Sequence, residues 1–342
     1  MNFASRPAIR RLRSAVTALL LGLLSALLPG AASACTISAT PLVTLGSRSS
    51  FDARSADLHA GSGGSGLSCP GLLGLLSYQY VFVSVDSASS GLLNAGSGDL
   101  IPFSIATTPG GTPLSVGSTS SNLAVAGLLA LGGSNSDIQM FISLGAAGNI
   151  AAGTYTGTVV LRWHHATCSN ISALNICIGG WSRSPGVNES CLLGLCTLNT
   201  GTLPGAGSAV TLTISLQVTR DCRFSTTDID FGSAPLVSGF APVNGTVGVN
   251  CTKGSTFSVG LSNGNHFDGG RRRMASGASR LQYDVFRPGN VLWNAGSGRA
   301  VQATPAPGDS TQNFPFTARI YGDQPTPPVG HYVDTLIVDV QF

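Results

Sequence analysis

Of 342 residues only 18 are Lys or Arg and 15 are Asp or Glu, so 10% are charged where globular proteins usually carry roughly a quarter. Gly supplies 45 residues and Pro 18, a composition that argues against long helices and for short strands joined by turns. The formal charge of +3 does not indicate a nucleic-acid binder. Arg6, Arg10, Arg11 and Arg13 precede every acid and the balance without them is −1, while phosphate binding needs clustered cations, of which only Arg271, Arg272 and Arg273 remain.

Residues 1–34 read as an export signal: arginines first, an apolar stretch from Ala15 to Leu28, Pro29-Gly30, then Ala32-Ser33-Ala34 before Cys35. The stretch is too short to span a bilayer, and no later segment could cross one as a helix. Cleavage after Ala34 leaves a mature chain starting at Cys35, long enough for two domains. A lipidated Cys35 is the alternative. Eight cysteines in an exported chain imply disulfides in an oxidising compartment. A single lysine, Lys253, among many arginines suits a GC-rich bacterium, which makes that compartment the periplasm.

Taken in order, strands are predicted over Tyr78–Val85, Ile138–Leu144, Thr154–Trp163, Ala209–Val218, Thr256–Leu261, Leu281–Phe286, Phe314–Tyr321 and Tyr332–Phe342. In Val210, Leu212, Ile214, Leu216 and Val218 the apolar residues alternate with polar ones without a break, the pattern of a strand with one buried face. The run Gly61-Ser62-Gly63-Gly64-Ser65-Gly66 fits a nucleotide-binding string, but no strand and helix flank it, and it reads as a flexible turn.

A degenerate repeat divides the chain. Leu92-Leu93-Asn94-Ala95-Gly96-Ser97-Gly98 returns as Leu292-Trp293-Asn294-Ala295-Gly296-Ser297-Gly298, and Gly153-Thr154-Tyr155 as Gly330-His331-Tyr332. Each half opens on a cysteine followed by another, making Cys35–Cys69 and Cys222–Cys251 candidate disulfides. The expected boundaries are 35–219 for a first domain and 220–342 for a compact second one. The predicted fold is all-β, two tandem β-sandwiches.

The first half carries insertions with leucines set among glycines: Leu72, Leu73, Leu75 and Leu76; Leu128, Leu129 and Leu131; Leu192, Leu193 and Leu195. Such runs make poor strands and are too short for stable helices, so they are expected as exposed apolar loop tips forming an interaction surface. The alternative is that they fill the core. Four cysteines allow three pairings; Cys168–Cys177 with Cys191–Cys196 is the working one, the second closing a leucine loop into a tight ring. His164, His165 and Cys168 could suggest zinc, but export favours disulfides, and no metal or cofactor is expected. The triplet Arg271 to Arg273 is read as a solvated turn. No Gly-x-Ser-x-Gly string or identifiable carboxylate pair suggests an enzyme.

Cys222, Phe231-Gly232, Val249-Asn250-Cys251, Arg273-Met274, Leu281-Gln282-Tyr283-Asp284-Val285-Phe286, Trp293, Tyr321-Gly322 and Gly330-His331-Tyr332-Val333-Asp334-Thr335 follow one another in an order and spacing that resemble the spore coat protein U domain. The first half keeps the cysteine pair and the Asn-Ala-Gly turn but lacks the Arg-Met and Tyr-Gly positions. That family includes subunits of archaic chaperone-usher pili. The resemblance implies immunoglobulin-like sandwiches lacking their last strand, which a neighbouring pilin supplies. It also implies a periplasmic chaperone and an outer-membrane usher as partners. A two-domain member with a leucine-rich first half implies a tip adhesin for hydrophobic surfaces and biofilm formation, displayed on a Gram-negative cell surface. A spore-coat or matrix protein and a carbohydrate-binding adhesin are the alternatives.

The layout is read the same way. A polymerising subunit needs an alternating extension ahead of its first cysteine, and a chain starting at Cys35 has none to donate. The donor-like strand Val210 to Val218 lies between the two copies, and it is expected to complete the first domain within the same chain, leaving the second incomplete.

Overall fold

The computed structural model describes residues 36–39, 42–63, 65–68, 74–75, 80–123, 129–130, 140–168, 172–173 and 175–342. Its longer strands in the first half are β1 (Leu42–Ser49), β2 (Asp57–Gly63), β3 (Tyr80–Ala88), β4 (Phe103–Ala106), β5 (Met140–Leu144), β6 (Gly153–Cys168), β7 (Ile176–Ile178), β8 (Glu189–Leu192), β9 (Leu195–Leu198) and β10 (Ser208–Thr219). Those of the second are β11 (Cys222–Ser225), β12 (Val243–Cys251), β13 (Ser258–Leu261), β14 (Arg272–Ser276), β15 (Ser279–Arg287), β16 (Gln312–Ile320) and β17 (Val338–Gln341). The only helical pieces among the described residues are three-residue 3-10 turns. The fold is all-β, two immunoglobulin-like sandwiches in tandem.

In the first, the sheet containing β1, β10, β6 and β3 faces a smaller sheet of β2, β5 and β4. Period-two alternation drives the assembly: Val81, Val83 and Val85, then Tyr155, Val159, Leu161 and Trp163, point inward from β3 and β6 into one core. The strand β10 lies between β6, antiparallel from Gly153 opposite Val218 to Trp163 opposite Ser208, and β1, which it pairs in parallel. Its Leu212, Ile214, Leu216 and Val218 are fully buried, and Val210 packs against the core edge. Four such side chains contribute about 6–12 kcal/mol, comparable with the whole stability of a domain.

The described residues of the glycine run lie in strands, not in a turn. Gly61-Ser62-Gly63 lies in β2 opposite Met140 to Ile142, and Ser65-Gly66 begins a short strand, Ser65–Ser68, paired with Thr36–Ala39. A side chain on Gly61 would come within 2.6 Å of Leu45 Cδ2, so glycine here makes room for a core leucine.

The second sandwich packs a sheet ordered β11-β12-β16-β15-β14 on β13 and β17 around Trp293, Tyr283, Val259 and Phe316. The terminal strand, predicted from Tyr332, is regular only over Val338–Gln341; before it Val333 bridges Ala275 alone. The cause lies in its surroundings. In the first domain the equivalent strand β6 pairs with β10, whereas β17 forms the edge of its sheet and, among the described residues, no strand takes the place of β10. Tyr332, Leu336, Val338 and Val340 are accordingly only half-buried, where Tyr155, Val159, Leu161 and Trp163 are inaccessible.

The arginine triplet is not a solvated turn either. Arg272 opens β14 with 1% of its side chain exposed, pairs with the equally buried Asp284 at 3.0 Å, and donates to the carbonyls of Ser262, Leu261 and Trp293. Arg271 stacks over Tyr321 and pairs with Asp323, and Arg273 pairs with Asp268.

Candidate functional site: an apolar face at one pole and an open groove at the other

The strand β6 is unusually long at 16 residues, about 50 Å of extended chain. Near its start Ala151 bridges Lys253 of the second domain. Its far end, Ala166 to Cys168, carries a module built by the four-cysteine segment: Trp181–Arg183 pairs with β6, and β7, β9 and β8 form a small sheet. Disulfides join Cys168 to Cys177 and Cys191 to Cys196. In the second domain a third joins Cys222 to Cys251. Cys35 and Cys69 lie outside the described residues; their neighbours Thr36 and Ser68 face each other in register.

One face of the module's sheet is inward. Cys177, Cys196 and Leu198 pack with Trp181, Val187, Ala166 and Cys168 in a core of their own, and the Trp181 indole N–H donates to the Cys196 carbonyl. The register sets the other face: Ile178 opposes Leu195, which opposes Leu192, and Ile176 lies two residues along. These side chains point to solvent. Leu192 is 76% exposed, Leu193 96% and Leu195 49%, with Ile178 at 47% and Ile176 at 38%. The two isoleucines were missed in the sequence reading, although Ile-Cys-Ile already carries the alternation that puts them opposite the buried cysteine.

Leu193 occupies a turn that its side chain disfavours. It and Gly194 have φ of +50° and +78° and join the facing pair Leu192 and Leu195, the two-residue hairpin with both central residues left-handed that favours Asn-Gly. A leucine held in a left-handed conformation at a solvent-exposed tip points to selection for something other than folding. Together the five side chains expose about as much as three free leucines, which at ~1.5–3 kcal/mol each would release on the order of 5–9 kcal/mol on complete burial.

Of the other leucine segments, Leu72, Leu73, Leu76, Leu128 and Leu131 lie outside the described residues. The backbones of Leu75 and Leu129 face each other in a two-stranded ladder, Gly74–Leu75 with Leu129–Ala130. Gly74–Leu75 also contacts Ser172–Ala173, the strand beside β7. The described parts of the three leucine-rich segments thus converge at one pole.

The surroundings are electrically quiet. Arg183 and Glu189 are the only charged residues from 164 to 219, and they pair at 2.7 Å while Glu189 also accepts the Trp181 backbone N–H. His164 shares a hydrogen bond with Ser84 at 3.1 Å and His165 with Ser184 at 3.3 Å; burial lowers the pKa of both rings. Cys168 is oxidised, so no thiolate joins the histidines as a zinc ligand. Glu189, Cys191 and Cys196 cluster as metal ligands do, but the disulfide occupies both sulfurs.

The second candidate surface is the groove left along β17 in the other domain, at the free edge of its sheet. Tyr332, Leu336, Val338 and Val340 lie half-buried along it, and Ile337 among them is 66% exposed. Among the described residues no helix is long and apolar enough to cross a membrane.

Solved structures share this fold. One chain of the crystal structure of the CsuC-CsuE chaperone-tip adhesion subunit pre-assembly complex, from archaic chaperone-usher Csu pili of Acinetobacter baumannii, matches with a TM-score of 0.65 at 25% identity. The match covers 90% of the present chain and 100% of that one. No curated protein matches the sequence. Two sandwiches, one left open along an apolar groove, together with this likeness, define the class as a subunit of a chaperone-usher pilus, an exported and surface-associated structural protein. More particularly, residues 208–339 match the family model of the Spore Coat Protein U domain. The matched span begins with β10, which in space belongs to the first sandwich.

Proposed function

We propose that the chain is the tip adhesin of a chaperone-usher pilus, a non-catalytic subunit that attaches cells to hydrophobic surfaces and supports biofilm formation. The single observation behind this reading is polarity. An apolar, charge-paired face lies at the far end of β6, and an open apolar groove lies in the domain at its near end. The donor-like strand that would otherwise reach a neighbour is engaged inside its own chain, between β1 and β6. Such a subunit accepts a strand at one end and presents leucines at the other.

In the groove, an adjacent pilin's extension would do for Tyr332, Leu336 and Val338 what β10 does for Tyr155, Val159 and Leu161. Until it arrives, a periplasmic chaperone shields these residues and an outer-membrane usher receives the complex. Aliphatic contacts are sequence-tolerant and need no chemical partner, which suits surfaces of varied identity better than a sugar, for which hydrogen-bonding groups around an aromatic platform would be required.

Replacing Leu192, Leu193 and Leu195 together with Ser tests the reading. Expected are normal disulfides, normal incorporation into fibres and attachment to methyl-terminated glass lowered by about tenfold or more. Unchanged attachment with intact fibres refutes the role of the face.

A further inference from the structure

The two sandwiches meet in a contact denser than a tandem pair requires. Only Arg220 and Asp221 separate β10 from β11, and Asp221 is itself held, its N–H on the Thr252 hydroxyl at 2.8 Å and its carbonyl on the Thr252 N–H at 2.9 Å. The Thr252 hydroxyl shares a further hydrogen bond with that of Ser50 in the first domain at 2.7 Å, and both residues are completely buried. Beside them Phe51, 3% exposed, lies between two guanidinium groups, Arg54 of its own domain at 4.7 Å and Arg223 of the second at 4.5 Å.

Three further bonds cross the contact. Arg54 donates to the Gly308 carbonyl at 2.5 Å, the Asn149 amide to the Pro307 carbonyl at 2.7 Å, and the Lys253 ammonium to Asp99 at 2.6 Å, where Asp99 also accepts the Ala151 N–H. The surfaces approach so closely that a side chain on Gly308, at φ +90°, would come within 2.2 Å of Asn149 Oδ1.

We propose that this contact is a rigid joint that holds the two sandwiches at one fixed angle, with Phe51 as its buried pivot and Lys253–Asp99 and Arg54–Gly308 as its locks. Flexing between domains is the ordinary expectation for a small polar interface. Here, bending strips hydrogen bonds from groups the joint has buried, and a two-residue linker pinned at Asp221 gives no slack. The apolar face therefore keeps one direction relative to the fibre, and a pull on it reaches the second domain without being absorbed by a hinge.

Spin labels at Thr156→Cys and Thr311→Cys, both exposed and one in each sandwich, report the joint in the full chain by their distance distribution. A single narrow distribution is expected. Lys253→Met with Arg223→Ala should widen it about twofold or more, as for ordinary tandem domains. The milder Lys253→Met alone should widen it less. Gly308→Leu, a wedge, should shift its centre. A broad distribution with the joint unaltered overturns the proposal, and so does a narrow one that survives both the double variant and the wedge. The readout does not involve adhesion, so its failure leaves the tip reading untouched, and the reverse also holds.

Discussion

Leu193→Asn separates the needs of folding from those of attachment, because the two should move in opposite directions. Leucine at φ +50° carries a left-handed backbone penalty of ~1–2 kcal/mol, most of which asparagine escapes through its local hydrogen bonding. Nothing is lost from the core in exchange, since 96% of the residue is exposed. A gain of ~1 kcal/mol raises the melting temperature of a domain this size by about 2–4 °C. The same substitution removes the most exposed apolar side chain of the face. If a flat surface buries about half of it, roughly 1 kcal/mol of contact is lost per molecule, about fivefold in retention. Thermal unfolding of the disulfide-intact chain and detachment from methyl-terminated glass at controlled flow supply the two readouts. Leu193→Gly is the control that relieves the backbone without adding an amide. A melting temperature that falls, or retention that does not change, would refute the assignment of this turn as strained for contact.

The buried pair in the second domain should behave asymmetrically. Arg272→Met leaves the enclosed Asp284 without its cation and should cost about 3–5 kcal/mol, read as a lower unfolding midpoint of that domain. Adding Asp284→Leu should recover part of the loss but not all, because the carbonyls of Ser262, Leu261 and Trp293 stay without their donor. The joint should weaken in acid. Burial raises the pKa of Asp99, but Lys253, the Ala151 N–H and the Ser97 hydroxyl outweigh it and hold the carboxyl below the usual carboxylate range. Its contribution is thus complete above that range and lost as pH falls through the lowered value, so the label distance should broaden only in strong acid. Asp99→Asn should remove the transition; a broadening centred near neutral pH would contradict this.

Much of the architecture was legible because period two is hard to mistake. The run Val210 to Val218 alternates cleanly, and its buried members are those the alternation selects. The failures have separate physical causes. β6 runs five residues past Trp163 because the cysteine module covers its outer face there, and no local pattern announces a cover built from residues 181–198. The terminal strand was read six residues too early at its start because it forms a sheet edge and, among the described residues, no strand pairs along its open side. Gly61 to Gly63 looked like a loop because glycine is a poor strand former, yet the space it leaves belongs to Leu45. Arg272 looked solvated because an arginine triplet usually is, and its acid partner lies twelve residues away across a hairpin.

The low charge noted at the outset has two parts, and only one is compositional. In the first domain the described charges are largely matched: Arg48 with Asp57, Arg162 with Asp86, Arg183 with Glu189, and Asp99 with the second domain's only lysine. Exposed pairs of this kind add little to stability, so their placement is better understood through the field they cancel. A lone charge near the apolar face would have to be desolvated whenever the face met an uncharged solid, and that cost would offset the gain from several leucine contacts. Pairing removes the cost in advance for Arg183 and Glu189, the two charges nearest the leucines. The pair that crosses between domains, Lys253 with Asp99, sits at the opposite end, where its attraction holds two domains together instead of opposing a surface.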